Sequence, residues 1–370
     1  MRTSRKTNSL VGLDVEAGSV AATEVVVNGS PKLGRTGIAP LGPGVTHEGE
    51  VTDPAALAEI LKELFADSKL PRRVRIGIAN QRVIVRTLRL PLIEKKDELE
   101  TAIRFQAGEQ IPMPLDQAVL DWQVLEPDAE TAANRQMDVV VVAARRETVS
   151  GLVGAAREAG LKPIGIDVAA FAMIRALAGQ VPSSSAGDQL SYEERMAAED
   201  DGVAPVEPAR LLCNLGDVTN LAVARGSNCL FTRVSSFGVE GIAQRVAERS
   251  EISLEQARDW LSHVGLVKPL DEVEGDPEMA SAVRDALTEG AEKLAGELRL
   301  SLDFYGTQEG SVAVEDVVAC GPGTAIEGLA AQLERELGYP FRIGAPAALA
   351  DLDPVSAARL TLPYGLALDE

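Results

Sequence analysis

Aromatic residues, cysteines and histidines are scarce in this 370-residue sequence. Phe, Tyr and Trp make up 4% of it, so we expect a core built mainly from aliphatic side chains. The 3 cysteines and 2 histidines lie far apart, which excludes a Cys/His zinc site of the usual spacing. No apolar run approaches the roughly 20 residues of a membrane helix, and the basic segment Met1–Lys6 is not followed by the apolar stretch of a signal peptide. These absences predict a soluble, cytoplasmic protein.

The composition is otherwise that of a globular protein, with 45% hydrophobic and 25% charged residues. The length predicts two or three domains. The net charge of -20 is unevenly distributed. Residues 1–181 contain 22 Lys and Arg against 23 Asp and Glu, whereas residues 182–370 contain 14 against 33. The acidic second half would repel nucleic acid, so we expect a partner protein or a membrane surface to meet the nearly neutral first half.

The first half begins with a strand–turn–strand pattern. Apolar segments at Leu10–Val15 and Val20–Val27 flank the turn Glu16–Ser19. A helix is predicted at Pro54–Phe65, with Asp53 as its N-cap. The next predicted elements are a strand at Arg72–Ile78 and then, as a compact α+β unit, strand Val83–Leu90, helix Asp97–Gln110, strands Ala118–Leu125 and Met137–Ala144, helix Thr148–Ala159 and strand Pro163–Asp167.

A polar stretch at residues 182–208, rich in serine and acidic residues, predicts a solvated linker between two halves. Beyond it the strand–glycine turn–strand pattern returns at Leu211–Leu215 and Leu221–Ala224, which suggests an internal duplication. A long helical region follows, in which Ser253 and Gln256 form a capping box. The last elements predicted are the strand Val317–Ala319 and the helix Ala325–Leu337.

Two hairpins with glycine turns and a later Gly-x-Gly turn can hold one nucleotide between them. Backbone N–H groups in such turns point at phosphate oxygens, and small residues let a phosphate approach closely. A carboxylate at the end of the first strand would hold Mg²⁺, usually through water. Asp14 has that position, with Gly18 and Ser19 in the turn. For any one of these turns, the alternative is a plain β-hairpin without a ligand.

Several segments together resemble the type IV pilus assembly protein PilM family, which is an actin-like ATPase family related to the cell-division protein FtsA. The segments are Gly12–Val20, Arg104–Pro114, Val119–Leu125, Gly160–Asp167, Glu297–Tyr305 and Gly365–Leu368. The resemblance extends over nearly the whole chain apart from the tail and the 182–208 linker. The segment around Ile111 and Pro112 is the most specific, because FtsA and sugar kinases do not usually carry it.

The resemblance implies an α/β chain with an actin-like ATPase fold, in which two halves surround a nucleotide cleft. The α+β unit would be an SHS2-like insert called subdomain 1C. The implied division is subdomain 1A at 8–82 and 167–181, subdomain 1C at 83–166, the acidic linker at 182–208, subdomain 2A at 209–245 and 301–370, and subdomain 2B at 246–300.

The resemblance also implies a partner. Proteins of this family sit at the cytoplasmic face of the inner membrane, where they bind the N-terminal cytoplasmic peptide of the membrane protein PilN in a groove beside the insert. We therefore expect a peripheral scaffold that also contacts other assembly-platform and motor proteins of a pilus or a related secretion system. The groove residues expected are Val83, Ile84, Val85, Arg86 and Leu88.

ATP and Mg²⁺ are the cofactors that the resemblance implies. The matching positions are Asp14, which is also the expected metal ligand, Gly18, Ser19, Asn214, Gly216, Asp217, Thr219, Gly238, Glu240 (for the ribose hydroxyls), Gly321 and Gly323. The departures from the family pattern are Glu16 for a small residue, Ala21 for lysine, Asn214 for aspartate, Pro322 for glycine, and the segment Ser236–Glu240 in place of a Gly-Gly pair. Because an amide neither acts as a base nor holds Mg²⁺ as a carboxylate does, we expect at most weak hydrolysis.

Two alternative functions stay open at this point. An active actin-fold ATPase or kinase needs a carboxylate base facing the γ-phosphate, and the position best placed for it is Asn214. An FtsA-like filament-forming protein would need an amphipathic basic helix for its membrane tether, and the segment Leu366–Glu370 does not provide one.

Overall fold

The computed structural model describes residues 9–28, 30–125, 131, 133–177, 208–308 and 310–368. The predicted linker at 182–208 lies, except for Pro208, outside the described residues. Within the described ranges the chain forms two five-stranded sheets, a three-stranded sheet and a two-stranded ribbon, with helices packed around them. None of the described helices is long and apolar enough to cross a membrane.

The elements have the following bounds. The strands are β1 (Ser9–Val15), β2 (Ser19–Asn28), β3 (Ser30–Pro40), β4 (Thr46–His47), β5 (Glu50–Val51), β6 (Arg73–Ile78), β7 (Ile84–Pro91), β8 (Ala118–Val124), β9 (Gln136–Arg145), β10 (Lys162–Val168), β11 (Ala209–Leu215), β12 (Thr219–Arg225), β13 (Asn228–Ser235), β14 (Val314–Cys320) and β15 (Phe341–Ile343). The helices are α1 (Pro54–Asp67), α2 (Lys96–Gln110), α3 (Arg146–Glu158), α4 (Ala169–Leu177), α5 (Val239–Ser250), α6 (Leu254–Val264), α7 (Pro277–Gly306), α8 (Leu329–Leu337) and α9 (Pro354–Ala367).

The first sheet has the strand order β10–β6–β1–β2–β3. β2 pairs antiparallel with both β1 and β3, whereas β6 pairs in parallel with β1 and β10. Side chains alternate across β1, so Val11 and Leu13 face α1 and α3, while Gly12 faces α9 on the other side. Gly12 lets α9 approach closely, because a Cβ at this position would lie 1.9 Å from the carbonyl oxygen of Pro363.

The second sheet repeats this arrangement, with the strand order β13–β12–β11–β14–β15 and the same succession of antiparallel and parallel pairs. The repeated strand–turn–strand pattern in the sequence therefore belongs to a repeated five-strand unit. Helices α5, α6 and α7 cover one face of this sheet. On the other face Leu212 and Val318 pack with α4 and with Leu366 of α9. Because α9 contacts both sheets, the two halves share one layer of helices.

The insert has its own antiparallel sheet, β7–β9–β8, and its own small core. Ile103 and Ala107 of α2 pack on this sheet beside Val139 and Val141. Two elements that the sequence analysis grouped with the insert lie in the first half instead. Leu152 of α3 belongs to the core of the first sheet, and β10 is an outer strand of that sheet.

Local capping signals place two helices as predicted. The Oδ1 atom of Asp53 accepts a hydrogen bond from the backbone N–H of Ala56 at 3.0 Å. Ser253 and Gln256 make both hydrogen bonds of the capping box at the start of α6. These bonds satisfy N–H groups that have no partner within the helix, which is why the start of each helix is readable from a few residues.

Other elements differ from the predictions. The helix predicted at Ala325–Leu337 begins only at Leu329, because Gly328, with a φ of 83°, interrupts the chain after a short 3₁₀ turn. β3 and α9 were not predicted. β3 is largely exposed, and its two glycines weaken the strand signal. From Ala357 onward α9 is buried on all sides, so it lacks the 3.6-residue alternation of a surface helix.

Candidate functional site

The turns of the two hairpins, β1–β2 and β11–β12, lie against each other between the two sheets. The side-chain amide of Asn214 donates to Glu16 Oε1 at 2.9 Å. The backbone N–H of Ala17 donates to Asp217 Oδ2, also at 2.9 Å. Gly216 permits this approach, because a Cβ there would lie 2.4 Å from Glu16 Oε1. The cleft between the two halves is therefore closed at this point by direct hydrogen bonds.

An arginine from α9 lies among the polar groups of the first turn. Arg359 is 5% exposed, and its Nη1 donates to Asp14 Oδ2 at 2.5 Å. Its Nε donates to Ser19 Oγ at 2.8 Å, and its Nη2 donates to the Ser19 carbonyl oxygen at 2.9 Å. Its Nε also lies 3.8 Å from Glu16 Oε2. The guanidinium thus binds the carboxylate that the sequence analysis assigned to Mg²⁺.

The carboxyl groups of this cluster have perturbed acidities. Burial raises the pKa of Glu16 to about 7, a rise to which Asp14 and Asp217 add and which the charge of Arg359 opposes. Burial of the Asp217 carboxyl group raises its pKa to about 6, although the hydrogen bonds that it accepts from the backbone N–H groups of Val218 and Ala17 act to lower the pKa. The residue as a whole is half-buried. For Arg359, burial acts to lower the pKa, but the nearby carboxylates outweigh it and raise the pKa.

A second arginine binds the residue predicted to contact the ribose. Arg258 of α6 forms an ion pair with Glu240 of α5, with Nη2 to Oε1 at 2.5 Å and Nε to Oε2 at 2.9 Å. Its Nη2 also lies 3.5 Å from the Ala17 carbonyl oxygen. A Cβ at Gly18 would lie 3.2 Å from the guanidinium carbon. α6 is therefore in contact with the first turn across the cleft.

The remaining predicted nucleotide-binding residues pack in the same region. Gly238 allows close contact with the second turn, because a Cβ there would lie 2.3 Å from the Gly216 carbonyl oxygen. Gly321 has a φ of 87°, and a Cβ there would lie 2.2 Å from Asn214 Oδ1. Thr219 Oγ1 donates to a backbone carbonyl oxygen at 2.7 Å. The structure brings together around one cleft the residues Asp14, Gly18, Ser19, Asn214, Gly216, Asp217, Thr219, Gly238, Glu240, Gly321 and Gly323.

As they are paired in this structure, the two turns do not fit the phosphates of ATP with Mg²⁺. The cavity beside the two turns has a volume of about 20 Å³, roughly the space that one ordered water requires. The N–H groups of Ala17 and Val218, which would face a phosphate, donate to the carboxylate of Asp217. Asp14 is paired with Arg359. Across the described residues, no group of three or more His, Cys, Asp or Glu side chains is arranged to hold a metal ion.

Neither arginine is among the site residues predicted from the sequence. Arg359 is the only charged residue in the buried helix α9, and a lone charge in an apolar segment is a signal for a buried ion pair. Arg258 gave no such signal, because it lies next to Asp259 on an amphipathic helix, where an arginine is usually solvated.

The predicted groove residues lie on β7 and just before it. β7 is an outer strand of the insert's sheet, and none of the described strands pairs with its outer edge. Val83 packs against the core of the first half and Ile84 against the core of the insert, while Val85 is half-buried and Arg86 is exposed. Leu88 is 1% exposed, because the alternation of the strand turns it into the insert's core. It therefore does not line an open surface.

Comparison with known proteins identifies the family. A family model described as type IV pilus assembly protein PilM matches residues 12–362. Among solved structures, a chain of a PilM-PilN type IV pilus biogenesis complex is 27% identical to this chain in sequence, with 97% of each chain covered and a TM-score of 0.75. The family suggested by the sequence motifs is therefore confirmed.

More distant structures share the fold alone. The ethanolamine utilization protein EutJ from Carboxydothermus hydrogenoformans is 12% identical, with 97% of this chain and 89% of that chain covered and a TM-score of 0.53. MreB5 of Spiroplasma citri bound to ADP is also 12% identical, with 96% and 94% covered and a TM-score of 0.50. Together with the PilM structure, these matches confirm the predicted α/β actin-like fold.

Proposed function

The chain belongs to the type IV pilus assembly protein PilM family, and we propose that it is a scaffold that docks the N-terminal cytoplasmic peptide of a PilN-like membrane protein. The similarity to a chain of a PilM-PilN complex supports this partner. In this proposal the protein is peripheral at the cytoplasmic face of the inner membrane and reaches the membrane through its partner. Other assembly-platform and motor proteins would bind the same scaffold.

The outer edge of β7, with which none of the described strands pairs, is the observation that carries the proposal. A strand edge with open N–H and C=O groups can bind an extended peptide as a further strand. Val85 offers a half-buried apolar contact at this edge, and Arg86 places a positive charge beside it. The edge belongs to the nearly neutral first half of the chain, so an acidic peptide would not meet the repulsion of the second half.

Binding of a synthetic peptide tests the proposal. The peptide is the N-terminal cytoplasmic segment of the PilN-like protein from the same organism, and its dissociation constant is measured by calorimetry. Val85→Asp should weaken binding by at least about tenfold, because it puts a charge into the apolar contact. Val119→Asp makes the same change on β8, the opposite outer strand, and should bind like the wild type. No binding at high micromolar peptide, or equal losses in both variants, would contradict the proposal.

ATP and Mg²⁺ are not part of the proposed function, because Asp14 and the N–H groups of Ala17 and Val218 already have partners within the chain. The two alternatives from the sequence gain no support from the described residues. At the position where a kinase or ATPase would need its base, the amide of Asn214 donates to Glu16. We therefore propose docking, and not turnover, as the function of this chain.

A further inference from the structure

Three groups in the cleft that a magnesium–nucleotide complex would contact already have partners within the chain. The Asp14 carboxylate is bound by Arg359. The N–H groups of Ala17 and Val218, one from each hairpin turn, donate to the two oxygens of Asp217 at 2.9 and 2.7 Å. Asp217 belongs to the second turn and Arg359 to α9, so the Ala17–Asp217 and Asp14–Arg359 contacts connect parts of the chain that are distant in sequence.

The partners have the chemistry of the groups that they replace. A carboxylate that accepts hydrogen bonds from turn N–H groups occupies the same donors that would otherwise face phosphate oxygens. A guanidinium supplies a fixed positive charge to Asp14, as a divalent cation would, and its planar array of donors also bonds Ser19. Burial of the Arg359 charge costs desolvation free energy, and these contacts together with the nearby Glu16 carboxylate offset that cost.

We propose that Arg359 and Asp217 form an internal clasp that holds the two halves closed and excludes magnesium and nucleotide from the cleft. Arg359 binds Asp14 and Ser19 on the first half from the shared helix α9, and Asp217 bonds the first turn from the second half. Closure of the cleft is then a property of the chain itself. The peptide-docking surface on β7 would keep its orientation without a nucleotide, although the clasp does not depend on that proposed function.

The first test needs no variant. The melting temperature of the wild-type protein is measured in buffer alone, with Mg²⁺ and with millimolar Mg·ATP. Amide hydrogen exchange at Ala17 and Val218 is followed under the same three conditions. The clasp predicts the same melting temperature in all three conditions and the same slow exchange at both amides. A melting temperature that rises with Mg·ATP, or amides that become further protected by it, would overturn the proposal.

Variants test each part of the clasp. Asp217→Ala should speed exchange at Ala17 and Val218 by at least about tenfold, since both amides lose their acceptor. Asp259→Ala, which removes a charge from an exposed position on α6, should leave both rates unchanged. Slow exchange in Asp217→Ala would show that this carboxylate does not protect the turns, against the proposal.

Arg359→Met keeps the aliphatic stem and removes the charge, leaving Asp14 and Glu16 without their buried cation. The clasp predicts that Mg²⁺ alone raises the melting temperature of this variant and not that of the wild type. If Mg²⁺ has no effect on a folded Arg359→Met protein, the guanidinium does not stand in for a cation and the proposal fails. If this variant does not fold, the wild-type measurements with Mg·ATP still decide the question.

Discussion

The raised pKa of Asp217 predicts how the free energy of unfolding depends on pH. Its pKa rises from 3.8 to about 6 in the folded protein, with burial as the largest cause. Between these two values only the folded state binds the proton, so raising the pH through this window removes stability. The contribution is complete below about pH 4 and is lost by about pH 6. Asp217→Asn cannot titrate and should lack this slope.

The size of the effect follows from the pKa change. A rise from 3.8 to about 6 corresponds to roughly 3 kcal/mol at most. Because Asp217 keeps partial access to solvent, we expect about 1–2 kcal/mol. The variant also loses one acceptor for the turn N–H groups, which costs about 1 kcal/mol at every pH. The free energy of unfolding of the wild type minus that of the variant should therefore fall by about 1–2 kcal/mol between pH 4 and pH 7.

Urea denaturation of both proteins at several pH values between 4 and 8 measures this difference. Asp259→Asn serves as the control, because it removes one exposed charge on α6 without touching the cleft. A difference that stays constant with pH, or that grows as the pH rises, would refute the reasoning. The first result would mean that Asp217 is solvated as in the unfolded chain. The second would mean that its ionised form is the one that the turns stabilise.

Other predictions concern packing and capping, and denaturation midpoints check all of them. Gly365→Ala should destabilise by about 1–3 kcal/mol, since its Cβ would lie 2.0 Å from the Ala172 carbonyl oxygen where α9 meets α4. Gly154→Ala, in α3 with open space around it, should instead stabilise by up to about 1 kcal/mol; equal effects at both glycines would contradict the packing argument. Ser253→Ala should cost about 1 kcal/mol through loss of the capping box, and no change would show that α6 begins without it. Asp167→Ala should cost about 3–5 kcal/mol by leaving the poorly exposed Arg175 without its carboxylate, and a loss below 1 kcal/mol would mean that the pair is solvated.

Elements with local signals were predictable within a few residues. α1 begins at Pro54 because Asp53 caps it and proline suits the first turn, and both features are visible in four letters of sequence. The capping box of α6 is equally local. The family was predictable as well, because its motifs keep their order along the chain and the matched region covers residues 12–362.

Elements whose signals depend on distant contacts were missed. The buried helix α9 has no polar face, so its sequence does not show the alternation by which helices are recognised. β3 forms a strand because β2 offers it an edge to pair with, although its own sequence contains glycines and exposed residues. Leu88 was predicted to lie in an open groove, but its side of β7 faces α2, which only the tertiary packing decides.

The sequence by itself determined the two glycine-containing hairpin turns and the later Gly-x-Gly turn, because turn signals are local, and its resemblance to the family implied that these turns meet in one cleft. It did not determine what fills that cleft. Arg359 lies 340 residues from Ser19 along the chain, and it reaches the first turn only because glycine at position 12 lets α9 pack against β1. Side chains that pair across such distances have no fixed spacing along the sequence by which the pair could be recognised. The folded structure alone decides that the guanidinium of Arg359 lies beside Asp14.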